Sequence, residues 1–272
     1  MTIRLAGVIG DPISHSRSPR LHGHWLQRYG IDGQYIPLHV RPADLRASLE
    51  LLPRLGLSGI NVTLPHKEAV FELAHTTTER AKAVGSANTL TFVDGQIHAD
   101  NTDGYGFLAN LDQGAATRDR AAPALVLGAG GAARGVIAAL LQDGTDRVTL
   151  TNRTAARAET LASQFPDRVQ VVPWDQAEHA VADHGLLVNT TSLGMVGQPP
   201  LQMSLDHLPP ETIVTDIVYT PLETPLLASA RARGNVVVDG LGMLLHQAVP
   251  GFEAWFGRTP TVDSDLRAAV LA

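Results

Sequence analysis

Ala124-Leu-Val-Leu-Gly-Ala-Gly-Gly-Ala-Ala-Arg134 is the stretch on which the reading of the fold turns. Its first four residues are apolar without a break, as in a buried strand. The run then dissolves into glycines and continues as a helix predicted over 132–141. Gly128, Gly130 and Ala133 match the spacing G-x-G-x-x-G/A of a dinucleotide-binding turn. Each position has a physical task there. Gly128 permits the tight turn, Gly130 lets backbone approach a pyrophosphate, and a small residue at 133 lets helix and strand pack closely. The new helix offers unpaired N–H groups and the positive end of its dipole to phosphate. Glycine-rich turns before helices also occur in methyltransferases and as plain packing, so the neighbouring sequence has to decide.

The next strand, predicted over 147–151, lies where a β-α-β unit places its second strand. At that strand's end a NAD site carries Asp or Glu to hold the ribose 2′-hydroxyl. This chain has Asn152-Arg-Thr154 instead, with Arg157 one helical turn on. An acid would repel a 2′-phosphate, whereas two guanidiniums and a hydroxyl would bind it by charge-assisted hydrogen bonds. A solvated basic helix start is the plain alternative; placed after this strand, the residues favour NADP. Further strands are predicted over 169–172, 186–190, 213–218 and 235–238. With those at 124 and 147 they make a doubly wound parallel sheet, the Rossmann arrangement.

The chain has 272 residues, enough for two domains. A hydrophobic content of 44% and a charged content of 18% describe a soluble globular protein. The net charge of −6 argues against a nucleic-acid or anionic-membrane surface. With no cysteine, disulfides, thiol catalysis and cysteine-ligated metals are excluded, which fits the cytosol. The opening residues lack the long apolar region of a signal peptide, so none is expected. The run 124–141 contains four glycines and Arg134 and is no membrane span. The histidines form no metal-binding pattern.

The first hundred residues also alternate strand and helix, with strands predicted over 3–10, 34–40 and 57–62. A second α/β domain with a largely parallel sheet is therefore expected. After the first strand, Ser18-Pro19 reads as N-cap and first helical residue. Ser14 and Ser16 are then spare, either as turn-stabilising serines or as ligands of a carboxylate. Lys67 stands where the third strand gives way to a helix, the edge on which α/β proteins place ligands, though a solvated lysine is the commoner outcome. Asn88 to Val93, Asp94-Gly95 and Gln96 to Ala99 form a hairpin signal. Asp103 reads as an N-cap, or as a carboxylate that pairs with a ligand or a lysine. The stretch 112–123 is expected to approach the second domain.

Seven separated motifs occur in the order of one family. They are His15-Ser-Arg-Ser-Pro19, Asn61-Val-Thr-Leu-Pro-His-Lys67, Gly85-Ser-Ala-Asn-Thr89, Asn101-Thr-Asp-Gly104, Gly128-Ala-Gly-Gly-Ala-Ala-Arg134, Asn152-Arg-Thr154 and Asp239-Gly-Leu-Gly-Met-Leu-Leu-His-Gln247. Across nearly its whole length the chain resembles the shikimate dehydrogenases. The resemblance implies an N-terminal α/β substrate-binding domain (1–104 and 241–272), an NADP-binding Rossmann domain (105–240) and a cleft between them. It implies NADPH-dependent reduction of 3-dehydroshikimate to shikimate, with Lys67 as catalytic residue and Asp103 as its partner. Ser16 and Ser18 would bind the substrate carboxylate, and Thr63, Asn88, Asp103, Tyr219 and Gln247 the rest of the substrate. On the cofactor side stand Gly128, Ala129, Gly130, Gly131, Ala132 and Ala133 of the turn, and Asn152, Arg153, Thr154 and Arg157 after the second strand. Glu79, Ile217, Gly240 and Met243 would lie toward the nicotinamide. The family's alternatives are a quinate/shikimate dehydrogenase of mixed specificity and a non-catalytic NADP-binding regulator. A monomer and a homodimer are both compatible with the sequence.

Overall fold

The computed structural model describes residues 3–272; Met1 and Thr2, with which the predicted first domain opens, lie outside the described residues. The chain divides into two compact units, one running through Asp103 and resuming over Leu245–Ala272, the other spanning Gly104–Leu244. The second crossing thus falls at 244/245 and not at the predicted 240/241. Local bonding explains the difference. The Asn110 amide donates to the Asp239 carbonyl at 2.7 Å, and Leu241 N–H donates to the Asp239 carboxylate at 3.0 Å. Both bonds tie the start of the helix Leu241–Gln247 to the second unit.

The first unit is built on six strands: β1 (Arg4–Gly10), β2 (Gly33–His39), β3 (Leu57–Val62), β4 (Thr76–Thr77), β5 (Thr89–Val93) and β6 (Gln96–Asp100). Their spatial order is β2-β1-β3-β5-β6-β4. β1, β2 and β3 run parallel, but β5 is antiparallel to both β3 and β6. The expected largely parallel sheet is therefore mixed. The cause is the hairpin itself, whose turn residues Asp94 and Gly95 have φ of 50° and 75°, the pairing that a two-residue hairpin demands. One face buries Ile9, Ile60, Val62, Leu90 and Val70. Elsewhere in the unit Trp25, Tyr35, Phe252 and Trp255 are buried, the last two on a helix, Val249–Phe256, that the sequence reading did not mark. Its apolar positions 249, 252, 255 and 256 follow helical spacing.

The second unit holds β7 (Ala124–Leu127), β8 (Val148–Thr151), β9 (Val169–Val171), β10 (Leu186–Asn189), β11 (Ile213–Asp216) and β12 (Val237–Val238). All pairings are parallel, in the order β12-β11-β10-β7-β8-β9. Successive residues of β7 serve opposite faces: Ala124 and Val126 pack with Ile137 and Leu140, Leu125 and Leu127 with Leu187 and Val214. Burial on both faces is why this strand reads as one unbroken apolar run. The stretch 112–123 is no approach between domains but part of this unit. Helix Asp103–Gly114 runs into it, and the Arg118 guanidinium, buried, holds both Asp112 and Asp143. Among the described residues no helix is long and apolar enough to cross a membrane.

Candidate active site

In the first unit the ends of β3 and β6 bring two helix starts together. Lys67 opens the helix Lys67–Leu73, and Asp103 opens the helix Asp103–Gly114. Lys67 Nζ donates to Asp103 Oδ2 at 2.7 Å, with the two side chains 27% and 21% exposed. The pair is thus shielded from bulk water yet within reach of a small molecule. The other Asp103 oxygen accepts from Asn88 Nδ2 at 2.8 Å, and the same amide lies 3.4 Å from Gln247 Oε1. Asn88 itself cannot turn over. Its Oδ1 accepts from Thr102 N–H at 2.9 Å and from the hydroxyls of Thr102 and Thr89 at 3.1 and 3.0 Å. Four of the sequence-predicted residues, Lys67, Asn88, Asp103 and Gln247, therefore meet in one hydrogen-bonded group. Of the two readings for Asp103 the pairing with a lysine is the one observed: it is the first residue of the helix and not its cap, and its carboxylate is spent on Lys67 and Asn88.

The serine loop differs from expectation. The helix begins at Ser18, with Arg17 as cap and Pro19 in its first turn, so Ser18 is a helical residue and not the cap. Arg17 already has helical backbone angles, φ −86° and ψ −7°. Ser16 is hence not wholly spare: its Oγ accepts from Ser18 N–H at 3.3 Å. Its proton stays available to an incoming acceptor. Ser18 is buried and Ser16 half-buried. Thr63 N–H donates to Ile9 O at 3.0 Å, which carries the end of β3 alongside β1. Glu79 opens the helix Glu79–Val84 with its side chain 85% exposed and bonded to Lys82 at 2.7 Å.

In the second unit the chain order of the strands reverses between β7 and β10, the place where open α/β sheets bind ligands. The glycine turn lies there. Gly128 has φ +103°, and a Cβ on it would come within 2.9 Å of Thr190 Oγ1 and Thr191 Cγ2. This glycine is required by the fold. Gly130 and Gly131 differ: a Cβ on either would meet no protein atom within 4 Å. Gly130 caps the helix Gly131–Asp143 without any side-chain hydrogen bond to its first amides. Open space before uncapped amides fits a phosphate group. Ala133 is fully buried against the strands, as a small residue at that position should be. Ala129 N–H donates to Asn152 Oδ1 at 3.1 Å, and Asn152 Nδ2 donates to Thr154 O at 2.9 Å. Asn152 thus binds the turn to the start of the next helix, while Arg153, Thr154 and Arg157 stand exposed beside it. Gly240 is buried against the Ile217–Val218 backbone, with Val218 O 2.7 Å from where its Cβ would lie. Ile217 and Met243 pack on the core of the unit, and Tyr219 is half-buried. Among the described residues no three His, Asp or Glu side chains cluster as for a metal ion.

Family models cover both units. A shikimate dehydrogenase substrate-binding domain matches residues 8–90, a shikimate/quinate 5-dehydrogenase domain residues 112–196, and a shikimate 5′-dehydrogenase C-terminal domain residues 240–269. The chain is 60% identical over 274 residues to the shikimate dehydrogenase (NADP(+)) of Cereibacter sphaeroides (strain ATCC 17025 / ATH 2.4.3), covering 100% of this chain and 98% of the relative. It belongs to the shikimate dehydrogenase family. Solved structures of the family carry the same fold. That of the Thermus thermophilus shikimate 5-dehydrogenase in complex with NADP(H) and shikimate matches with a TM-score of 0.88 at 35% identity, over 99% of each chain. The quinate dehydrogenase of Corynebacterium glutamicum, in complex with NAD, matches with a TM-score of 0.92 at 31% identity, over 99% of each chain.

Some residues of this shikimate dehydrogenase family member were not singled out from sequence. Asn61, Thr89 and Thr102 lie inside quoted motifs, yet only the structure shows them gathered on Asn88. Asp216 is a second case. It is fully buried at the end of β11 and accepts from Asn189 Nδ2, Val218 N–H and the Thr224 hydroxyl at 3.0, 3.0 and 2.7 Å. Burial nonetheless pushes its carboxyl above the ordinary value, with those three bonds acting against it. An acid within the apolar run 213–218 was its one signal in the sequence.

Proposed function

We propose that the chain is an NADP-dependent shikimate dehydrogenase that interconverts 3-dehydroshikimate and shikimate. The observation that carries the reading is the Lys67–Asp103 pair with Asn88 on the second Asp103 oxygen. NADPH, when bound, supplies the hydride that reduces the ring ketone. The Gly128–Ala133 turn would hold its pyrophosphate, and Arg153, Thr154 and Arg157 its 2′-phosphate. Glu79, Ile217, Gly240 and Met243 are assigned to its nicotinamide end.

Lys67 is the proton donor. Its ammonium, kept in place by Asp103, donates a hydrogen bond to the ketone oxygen and passes a proton to it as negative charge develops. In the reverse direction the amine receives the hydroxyl proton. Asp103 orients Lys67 and accepts from a neighbouring ring hydroxyl. Ser16 and Ser18 donate to the substrate carboxylate, and Thr63, Asn88, Tyr219 and Gln247 contact the ring and its hydroxyls. Because Asn88 Oδ1 is committed to Thr89 and Thr102, its amide acts on the site only as a donor.

Initial rates with shikimate and quinate, each with NADP and with NAD, test the reading. Shikimate with NADP should exceed the other three pairs by at least an order of magnitude, roughly the value of one or two charge-assisted hydrogen bonds. A preference for quinate with NAD would move the chain to the quinate dehydrogenases, and no turnover with any pair would make it a non-catalytic binder.

A further inference from the structure

Behind Asn88 the hydrogen bonds continue into the interior of the first unit. The Tyr35 hydroxyl on β2 donates to Asn61 Oδ1 on β3 at 2.7 Å. Asn61 Nδ2 donates to Asn88 O and to Thr89 Oγ1, both at 3.1 Å. The Thr89 hydroxyl donates to Asn88 Oδ1 at 3.0 Å, and Asn88 Nδ2 donates to the Asp103 carboxylate at 2.8 Å. Tyr35, Asn61, Thr89 and Asn88 are all buried, so no water competes for these groups.

The direction of the chain is dictated by chemistry. The Asn88 carbonyl is an acceptor only, so Asn61 must present its NH2 there and its oxygen to Tyr35. Tyr35 must then donate, and burial, which pushes its phenol well above the ordinary value, keeps that proton on it. Thr89, accepting from Asn61, turns its own proton toward Asn88 Oδ1. Each donor thus feeds the next acceptor, and such aligned chains polarise one another. The Tyr35 ring is itself fixed, stacked at 3.9 Å and 2° on His22 and tilted against Trp255.

We propose that Tyr35 is a positioning residue for the Lys67–Asp103 pair: through Asn61 and Thr89 its hydroxyl tightens the hold that Thr102 already has on the Asn88 amide, and so steadies the NH2 donor on Asp103. The proposal rests on the reading of Lys67 and Asp103 as the reacting pair. Removing the hydroxyl takes the tyrosine's bond from the buried Asn61 Oδ1, so that Asn61, and Thr89 beyond it, are held less firmly.

The test is Tyr35→Phe, which deletes one oxygen and keeps the ring. The variant should fold and bind NADP like the parent, while kcat for shikimate falls about tenfold, the scale of one hydrogen bond. Exchange of the Asn88 side-chain amide protons, followed by NMR without substrate, should quicken. Thr89→Val cuts the same chain one step nearer Asn88, should lose a similar factor, and carries the test if Tyr35→Phe does not fold. The double variant should be little worse than the poorer single one. Parent kcat together with parent amide exchange in folded Tyr35→Phe would overturn the proposal, as would strictly additive losses. A parent that fails to turn over shikimate would count against the assigned reaction, while the amide exchange still reads the chain.

Discussion

In the first unit four candidate residues are side chains that touch one another, Lys67, Asn88, Asp103 and Gln247, all joined by hydrogen bonds. In the second they are mostly backbone and open space: amides at the start of the helix Gly131–Asp143, glycines with nothing over them, and exposed arginines. The contrast suits what each site is proposed to handle. Moving a proton requires a group with a fixed partner and orientation, and that must be in place before substrate arrives. Holding a phosphate requires unpaired donors and room, and partners of the protein's own would compete for them.

The sharpest way to break this contrast is Lys67→Ala. Positioned proton transfer contributes about 10²–10⁴ in rate, so kcat should fall by that factor while folding and NADP affinity stay. Asp103→Asn should also cost turnover, and the double variant should be little worse than Lys67→Ala, because the two act as one unit. Near-normal kcat in Lys67→Ala would remove the first unit's claim to the chemistry.

Arg153→Ala addresses the second unit, where no built-in partner is lost. A charged hydrogen bond to a 2′-phosphate contributes about 1.5–3 kcal/mol, so KM for NADP should rise by one to two orders of magnitude, roughly, with NAD little changed. Equal losses with both cofactors would make the arginine structural.

The two glycines of the turn sharpen the comparison within one unit. Gly130→Ala places a methyl in open space at an ordinary backbone angle, φ −97°. Its thermal midpoint should match the parent's while NADP affinity falls about tenfold, from a clash with the ligand alone. Gly128→Ala, at φ +103° and close to Thr190 and Thr191, should lose about 1–3 kcal/mol of stability before any ligand is added. Denaturation curves and fluorescence titration of both variants separate the two roles; identical behaviour would erase the distinction.

A pH dependence concerns what each unit buries. His22 in the first unit is lowered to about 3 by burial, so at neutral pH it is uncharged. The unfolded chain takes up its proton near the usual 6.5, and the folded protein does not until far lower. Stability present above that value should therefore decline as pH falls from about 6.5 toward 3, by at most about 1.4 kcal/mol per unit. His22→Phe should flatten this slope in denaturation curves run across that window. Asp216 in the second unit has the opposite sign. Its folded carboxyl titrates above the unfolded one, so its ionisation costs stability as pH rises and relieves it as pH falls. Asp216→Asn should weaken that opposing trend and leave the His22 slope.

Much of this was legible residue by residue. The second unit's strands and glycine turn read directly, because a strand buried on both faces has to be apolar throughout and a tight turn at positive φ, such as that at Gly128, calls for glycine. The chain alone also carried Lys67, Asn88, Asp103 and Gln247 as a family pattern. Their assembly was not legible, since Asn88 and Gln247 are separated by 159 positions and only the fold brings them to 3.4 Å. Capping was misread at Ser18, and at Asp103 the second of two readings held, the pairing with a lysine, for a related reason: the sequence shows which residues can cap, while the partner that a side chain finally takes depends on what folding places beside it. The hairpin was visible at Asp94-Gly95, but its consequence for a sheet otherwise parallel was not, because strand direction is decided by which neighbour β5 joins. Tyr35 read only as one aromatic within a predicted strand. That its hydroxyl heads a chain of donors ending on Asp103 is a property of the packed interior, where every buried polar group must find a partner and the available partners are chosen by tertiary structure alone.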